Sequence, residues 1–479
     1  MAGRSAPRSN IRMKAVVIDI GALRADRVGC YGYHRPTTPA IDALAAEGLR
    51  CDAAFSSDAT TAGARAALFS GRFGLETGIV TDGLAGDVIE GHTPVSVHGM
   101  HAPRPLLQEL LAAHGVRTAA ITPFGRQPAS WFYHGWCDVL DPWCARTPAE
   151  VTARDVNAVA LPWLETNAGR DFLLYLTYND LYSRADTPLD EHAAAHGTHL
   201  ASFGEAPVPD ESSIAAHLEL HAAFAPRAHR RPTREALWKL SHDYDARLRA
   251  VDDRAAEVLR HIDALGIREQ TAVIVTSDHG VMFGECGCYG GHIAAHYHCI
   301  RLPLVVRAPR MAKPGVMNGM CYGLDISATL CELAGIERPA GYQGRSLFQL
   351  AAEGRHGGRD CVVCGHGQYT AQRAILSDGW KLNRTWHAGF WQFPDTSLYH
   401  TASDTAEGDD RAAAEPDRVR ELLRKMKQWM DECRGDQPDP LARIACQEPP
   451  GFLRFGQELR ARVRRGELRA PEGYQGRWA

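Results

Sequence analysis

Three groups of residues have the types and spacing to do chemistry. Asp278 and His279 close the stretch TAVIVTSDHG, residues 271–280. An adjacent carboxylate and imidazole, freed to turn by Gly280, can face one cation; the alternative is two polar residues on a surface turn. Thr61 and Arg65 stand four apart in SSDATTAGARAALFSGR, residues 56–72. On a helix that spacing puts both on one face. At the helix amino terminus they face a place where free backbone N–H groups favour an anion; the alternative is a capping Thr beside a solvated Arg. The third group is Cys286, Cys288, His292, His296, His298 and Cys299. Thiolates and imidazoles suit Zn²⁺ or another transition metal, yet the spacing matches no standard finger, which favours a loop that merely tolerates Cys and His.

The elements that must position these groups follow from hydrophobic pattern. Residues 271–276 are rich in Val, Ile and Thr and read as a buried parallel strand, which delivers Asp278 and His279 to its carboxyl end. Ligands of open α/β sheets bind at that end. Lys14–Ile20 (KAVVIDI) reads as the first strand, with Asp19 its only acidic residue, and Phe172–Tyr178 as another strand, running into Asn179, Asp180, Leu181 and Tyr182. Helices are expected from about Pro39 to Glu47, from Thr61, and over 233–265, where Leu237, Leu240, Tyr244, Leu248, Val251, Ala255, Val258 and Ile262 recur at three and four. A helix and strand over 104–122 extend the sheet. An aromatic-rich loop, 131–143, and an Ala-, Pro- and His-rich insertion or lid, 184–232, are expected to shape a pocket. Cys361 and Cys364 have CxxC form, but their apolar middle reads as a strand.

Composition narrows the partners. With 479 residues, 45% hydrophobic and 23% charged, the chain is globular, and a formal charge of −4 gives no reason to expect nucleic acid or an acidic membrane. Residues 1–12 read as a flexible arm without a signal-peptide core, and no apolar run approaches the ~18 residues of a membrane span. A cytoplasmic protein with reduced thiols is expected, since the thirteen cysteines are odd in number and scattered. The expected division is a catalytic-fold domain over 13–354, a small carboxy-terminal subdomain over 355–434 and a surface tail over 435–479.

Between about 13 and 430 the chain resembles the sulfatase family of the alkaline phosphatase superfamily. The resemblance is carried by LRAD, GCYGY, IDALAAEG, SGR, TSDHG, GGH, RLPLVVRAPR and LDISATL. It implies an alkaline-phosphatase-like α/β fold: a mixed, mostly parallel sheet flanked by helices, with a small carboxy-terminal α+β subdomain. It also implies a divalent cation (Ca, Mg, Mn or Zn) on Asp278 and His279, Thr61 at the nucleophile position, Arg65 on the ester oxygens, and His292 as leaving-group acid.

Several positions depart from the family pattern. The Cys or Ser that becomes formylglycine is replaced by Thr61, so no formylglycine is expected. The Asp after the first strand falls on Gly21; Asp19, roughly 6 to 7 Å further back along the strand and on the same side, is the candidate replacement ligand. A family Lys falls on Gly291, the Lys and His after the 117–122 strand are missing, and Leu181 and Tyr182 replace a Pro-His pair. The leading expectation is a metal-dependent hydrolase of small-molecule sulfate or phosphate esters, with Thr61 in place of formylglycine. The alternatives are an inactive relative with a binding or assembly role, and a redirected transferase of specialised metabolism.

Overall fold

A computed structural model describes residues 13–82, 105–126, 129–142, 151–182, 234–309, 314–354, 357–389, 391, 393–434, 438–451 and 465. The expected arm (1–12) and insertion (184–232) lie outside these residues.

The centre is an eight-stranded sheet. Its order is Gly315–Met317, Leu49–Cys51, Val305–Arg307, Thr271–Thr276, Lys14–Ile20, Phe172–Tyr178, Arg117–Ile121 and Asp138–Leu140. Lys14–Ile20 pairs in parallel with Phe172–Tyr178 on one side and Thr271–Thr276 on the other, and its seven residues are all buried. Val305–Arg307 runs antiparallel to both of its neighbours, which makes the sheet mixed.

Side-chain alternation sends the central strands into two cores. Ala15, Val17, Tyr175 and Ile274 pack with Ala62, Ala66 and Phe69 of the helix Thr61–Ser70. Val16, Ile18, Ile20 and Val275 pack on the other face with Ile41 of Pro39–Glu47, Leu164 of Ala153–Asn167 and Val251 of Arg234–Ala264. Asp19 shares the parity of Ala15 and Val17, so it points toward the helix that carries Thr61 and Arg65. The long helix also fixes the first one. Asp252 accepts hydrogen bonds from the Ala40 and Ile41 N–H groups at 2.8 and 3.0 Å and so satisfies donors that a helix start leaves free.

Within the aromatic loop, Trp131 and Phe132 are buried, and Phe132 stacks edge-on with Phe69 and Phe124. This corrects the pocket-shaping expectation for that part of the loop, because large apolar rings beside a helix gain more from core burial than from lining a polar cleft.

A second, antiparallel sheet is formed by Cys361–His366, Ala371–Ser377, Trp380–His387 and Thr396–His400. The helix Pro416–Arg434 covers it through Leu422 and Met426, which meet Val363, Ile375, Leu382 and Leu398. The pair Cys361 and Cys364 thus sits in a strand. A parallel bridge between Asp58 and Gly365 joins this sheet to the segment before Thr61. The stretch read as a tail holds the helix Pro440–Gln447, whose buried Leu441 and Ile444 pack with Val80 and Ala371. Among the described residues no helix is long and apolar enough to cross a membrane.

Candidate active site

Thr61 opens its helix and lies beside the end of the Thr271–Thr276 strand. Its Oγ1 is 3.2 Å from His279 Nε2 and 2.9 Å from the Tyr182 hydroxyl. The other ring nitrogen of His279, Nδ1, donates to the Gly280 carbonyl at 2.7 Å, which assigns the hydrogen to Nδ1 and leaves Nε2 as an acceptor. Tyr182 donates to Asp278 Oδ2 at 2.9 Å and stands 3.1 Å from His279 Nε2. Asp278 Oδ1 accepts from the backbone N–H groups of Ala22 (3.2 Å) and His279 (2.8 Å). Four segments distant in sequence therefore meet in one hydrogen-bonded knot.

Arg65 lies one turn below Thr61 and is 1% exposed. Its Nε donates to Asp19 Oδ2 at 2.9 Å, and its Nη2 makes an ionic contact of 3.3 Å with Asp278 Oδ2 that lacks hydrogen-bond geometry. Tyr175 donates a short hydrogen bond to the same Asp19 oxygen. The guanidinium also faces the Phe124 ring, 4.7 Å from its centroid. Gly21 completes this side. A Cβ on it would lie 2.5 Å from Tyr182 Cε2, so the phenol occupies the room that any side chain at position 21 would need.

On the other side of Thr61, His292 stacks on His279 with ring centroids 4.0 Å apart. Its Nδ1 donates to the Ala59 carbonyl at 2.8 Å, and the carbonyl of His292 accepts from His366 Nε2 at 2.6 Å. Asp82 sits on the helix amino terminus. Its Oδ1 accepts from the Ala62 N–H at 2.7 Å and its Oδ2 is 3.7 Å from His292 Nε2.

Burial sets the charges. It lowers the His279 imidazole to about 3, the opposing pull of Asp278 notwithstanding, so His279 is neutral near pH 7. Burial alone would raise the Asp278 carboxyl, but His279, Arg65 and the Tyr182 hydrogen bond offset this and hold it below the usual range. Burial raises Asp19 and, more strongly, the Tyr182 phenol, which stays protonated.

The structure therefore brings together Thr61, Arg65, Asp19, Asp278, His279 and His292, all expected from sequence. Asp19 faces Arg65, so the reach toward a cation anticipated for it is taken up by an ion pair. Tyr182, Asp82, Tyr175 and His366 were not expected in this group. Only Tyr182 left a trace in the sequence, as a substitution after the Phe172–Tyr178 strand.

The Cys- and His-rich loop does not form the second metal site that its composition allows. Cys286, Cys288 and Cys299 are buried in an apolar cluster, and burial pushes their thiols up, away from thiolate. His296 bonds to the Ala406 carbonyl instead, and His298 lies 3.7 Å from Asp26. No cysteine among the described residues is in a disulfide.

Residues 15–336 match the sulfatase family, and 284–435 match the family described as N-sulphoglucosamine sulphohydrolase, C-terminal. The chain belongs to the sulfatase family. It is 26% identical over 354 residues to arylsulfatase A of Homo sapiens, covering 65% of this chain and 62% of the relative. It is 32% identical over 114 residues to the N-acetylglucosamine-6-O-sulfatase of Bacteroides thetaiotaomicron, covering 23% and 20%. Both matches thus span less than two thirds of the relative's length. Among solved structures, a protein in complex with its substrate D-glucosamine-2-N,6-O-disulfate superposes with a TM-score of 0.66 at 16% identity, covering 89% of this chain and 99% of that one. The phosphonate monoester hydrolase of Silicibacter pomeroyi superposes with a TM-score of 0.63 at 17% identity, covering 88% and 96%. These likenesses show the alkaline-phosphatase-like fold.

Sulfatase family members generally use a divalent metal ion. The residues present at this site do not fit one. Asp278 has both oxygens engaged, His279 has both nitrogens engaged, and Asp19 Oδ2 is held by Arg65 and Tyr175, leaving Asp19 Oδ1 without a partner. One uncommitted carboxylate oxygen falls far short of the roughly six to eight oxygens around Ca²⁺, and with room for about one water the site does not supply the waters that complete a Mg²⁺ shell either. The adjoining cavity, lined by Asp19, Ser56, Arg65, Ser277 and Asp278 among others, measures about 10 Å³. That is room for about one water. Among the described residues no three His, Cys, Asp or Glu converge as a metal-holding group.

Proposed function

We propose that this sulfatase-family protein hydrolyses sulfate esters, with Thr61 as nucleophile and His279 as the acceptor of its proton. The observation that carries this reading is the 3.2 Å contact from Thr61 Oγ1 to His279 Nε2, with the acceptor tautomer fixed through Nδ1 and Gly280. Nucleophile, base and a third group that orients the base are the parts a covalent mechanism needs.

In the proposed sequence Thr61 Oγ1 forms a bond to sulfur as its proton passes to His279 Nε2. The ester S–O bond breaks, and the leaving alkoxide takes the Nε2 proton of His292, which enters the step as the imidazolium beside Asp82 with its Nδ1 proton still donated to the Ala59 carbonyl. Water then attacks sulfur and the Thr61 Oγ1–S bond breaks; Thr61 takes its proton back from His279 Nε2, one proton of the water passes to His292, and hydrogen sulfate leaves. Ester oxygens reach the helix amino terminus by competing with Asp82 for the Ala62 N–H. Sulfated amino sugars are the first substrate class to assay, given the substrate in the superposed complex, and phosphonate or phosphate monoesters are the second.

A non-catalytic role in binding or assembly is the second reading. It is favoured by the position of Arg65, which faces two buried carboxylates and is not presented to an anion. The assay that separates the two compares wild type with Thr61→Ala on an aryl sulfate, glucosamine 6-sulfate and an aryl phosphonate. Turnover lost in Thr61→Ala supports hydrolysis; equal background rates in both proteins support the second reading.

A further inference from the structure

We infer that this chain has replaced the family's cation with its own side chains. The guanidinium of Arg65 supplies the positive charge between Asp19 and Asp278, and the phenol of Tyr182 fills the room beside Gly21. Three independent observations converge on this.

The first is charge. Arg65 lies 2.9 Å from Asp19 and 3.3 Å from Asp278, with all three side chains at most 2% exposed. The two carboxylates at the strand ends are thus bridged by a fixed cation already. A divalent ion entering between them would meet that charge at contact distance in a medium that screens poorly.

The second is volume. Gly21 lacks the carboxylate that would complete a ligand set, and Tyr182 Cε2 stands 2.5 Å from where its Cβ would be. The two positions are complementary: an acidic residue at 21 would need the phenol gone, and a smaller residue at 182 would leave a hole beside the glycine.

The third is hydrogen bonding. The Tyr182 hydroxyl meets Asp278, Thr61 and His279, three groups that would otherwise face an ion or its ligand water. A phenol has one hydrogen to give, and here it goes to Asp278, so the carboxylate oxygen that an ion would hold is satisfied by the phenol, while Thr61 and His279 lie against its oxygen at 2.9 and 3.1 Å. Phe124 closes the assembly over the outer face of the guanidinium.

The inference concerns what fills the site and holds whether or not Thr61 turns over an ester, so its test uses no substrate. Gel-filtered protein, prepared without chelator, is analysed for bound metal, and its Tm is followed in EDTA and in Ca²⁺, Mg²⁺, Mn²⁺ and Zn²⁺. The expected result is no stoichiometric metal and a Tm that moves by less than about 1 °C in each case, since an ion that does not bind the native state cannot stabilise it. A stoichiometric ion that Asp278→Asn releases overturns the inference, as does a saturable rise in Tm that Asp278→Asn abolishes. An ion indifferent to that substitution lies elsewhere and supports the inference that this site holds none. Should Asp278→Asn fail to fold, Asp19→Asn takes its place; should both fail, a wild-type Tm that falls in EDTA counts against the inference by itself.

Discussion

Gly21 and Tyr182 occupy one space between them, with the ring carbon Cε2 2.5 Å from the position a Cβ would take at residue 21. The ring cannot step aside freely, because its hydroxyl donates to Asp278 and is packed against Thr61 and His279. Gly21→Ala is therefore expected to cost about 1 to 3 kcal/mol through overpacking. In Tyr182→Ala the same substitution should cost much less, with a coupling of at least about 1 kcal/mol in a double-mutant cycle measured by urea unfolding. Additive effects would show that the two residues do not share the space.

Arg65 is the only cation in contact with both Asp19 and Asp278 among the described residues. Arg65→Met leaves two buried carboxylates facing each other, and removing one partner of a buried pair costs about 3 to 5 kcal/mol. Adding Asp19→Asn to that variant removes one of the orphaned charges and should restore part of the loss. Equilibrium unfolding of the two variants checks both statements.

Acid should expose the buried histidines. Burial, aided by the neighbouring His292, lowers His366 from 6.5 to about 3, so between those values the unfolded chain binds a proton that the native site refuses. Stability from His366 is thus fully present above pH 6.5 and is lost as the pH falls toward 3. His366→Asn gives up hydrogen bonds to the His292 carbonyl and Thr370 but does not titrate. The stability gap between wild type and His366→Asn should be widest above about pH 6.5 and narrow steadily below it. A gap independent of pH would contradict this.

The helix Pro440–Gln447 is bound by apolar contact and by an ion pair. Leu441 is fully buried against Val80 and Ala371, and Asp439 meets Arg373 at 2.6 Å. Leu441→Ala should cost about 2 to 4 kcal/mol, comparable to other core truncations. A chain ending at residue 437 should lose at least as much by thermal unfolding.

The fold was legible wherever burial writes a period into the sequence. Lys14–Ile20, Phe172–Tyr178 and Thr271–Thr276 are continuous apolar runs because they are covered on both faces, and Arg234–Ala264 carries its three-and-four spacing because one side alone is covered. The site was half legible. Thr61, Arg65, Asp278 and His279 stand out by type and spacing, and parity along the strand puts Asp19 on their side. What no spacing reveals is where a long side chain ends. The Arg65 guanidinium reaches Asp19 from a helix whose Ala62 and Ala66 are buried in the same core as the strand residues Ala15 and Val17. The partnership of Gly21 with Tyr182 and the placement of Asp82 on the helix start depend on loops whose paths carry no hydrophobic period.

The knot joining Thr61, Tyr182, Asp278 and His279 also bears on how the molecule opens. In an open catalytic cleft such groups face solvent or ligand, and the segments that carry them separate at little cost. Here Thr61, Tyr182 and the Asp278–His279 pair, from three stretches of chain, lie within hydrogen-bonding distance of one another, and Asp278 also accepts from the Ala22 N–H after a further strand. The loops after three neighbouring strands are fastened at one point, so the first of them to loosen must release the others. Amide exchange at these strand ends is expected to be as slow as in the sheet interior, the kinetic signature of a clasp that a substrate would have to undo in order to reach Thr61.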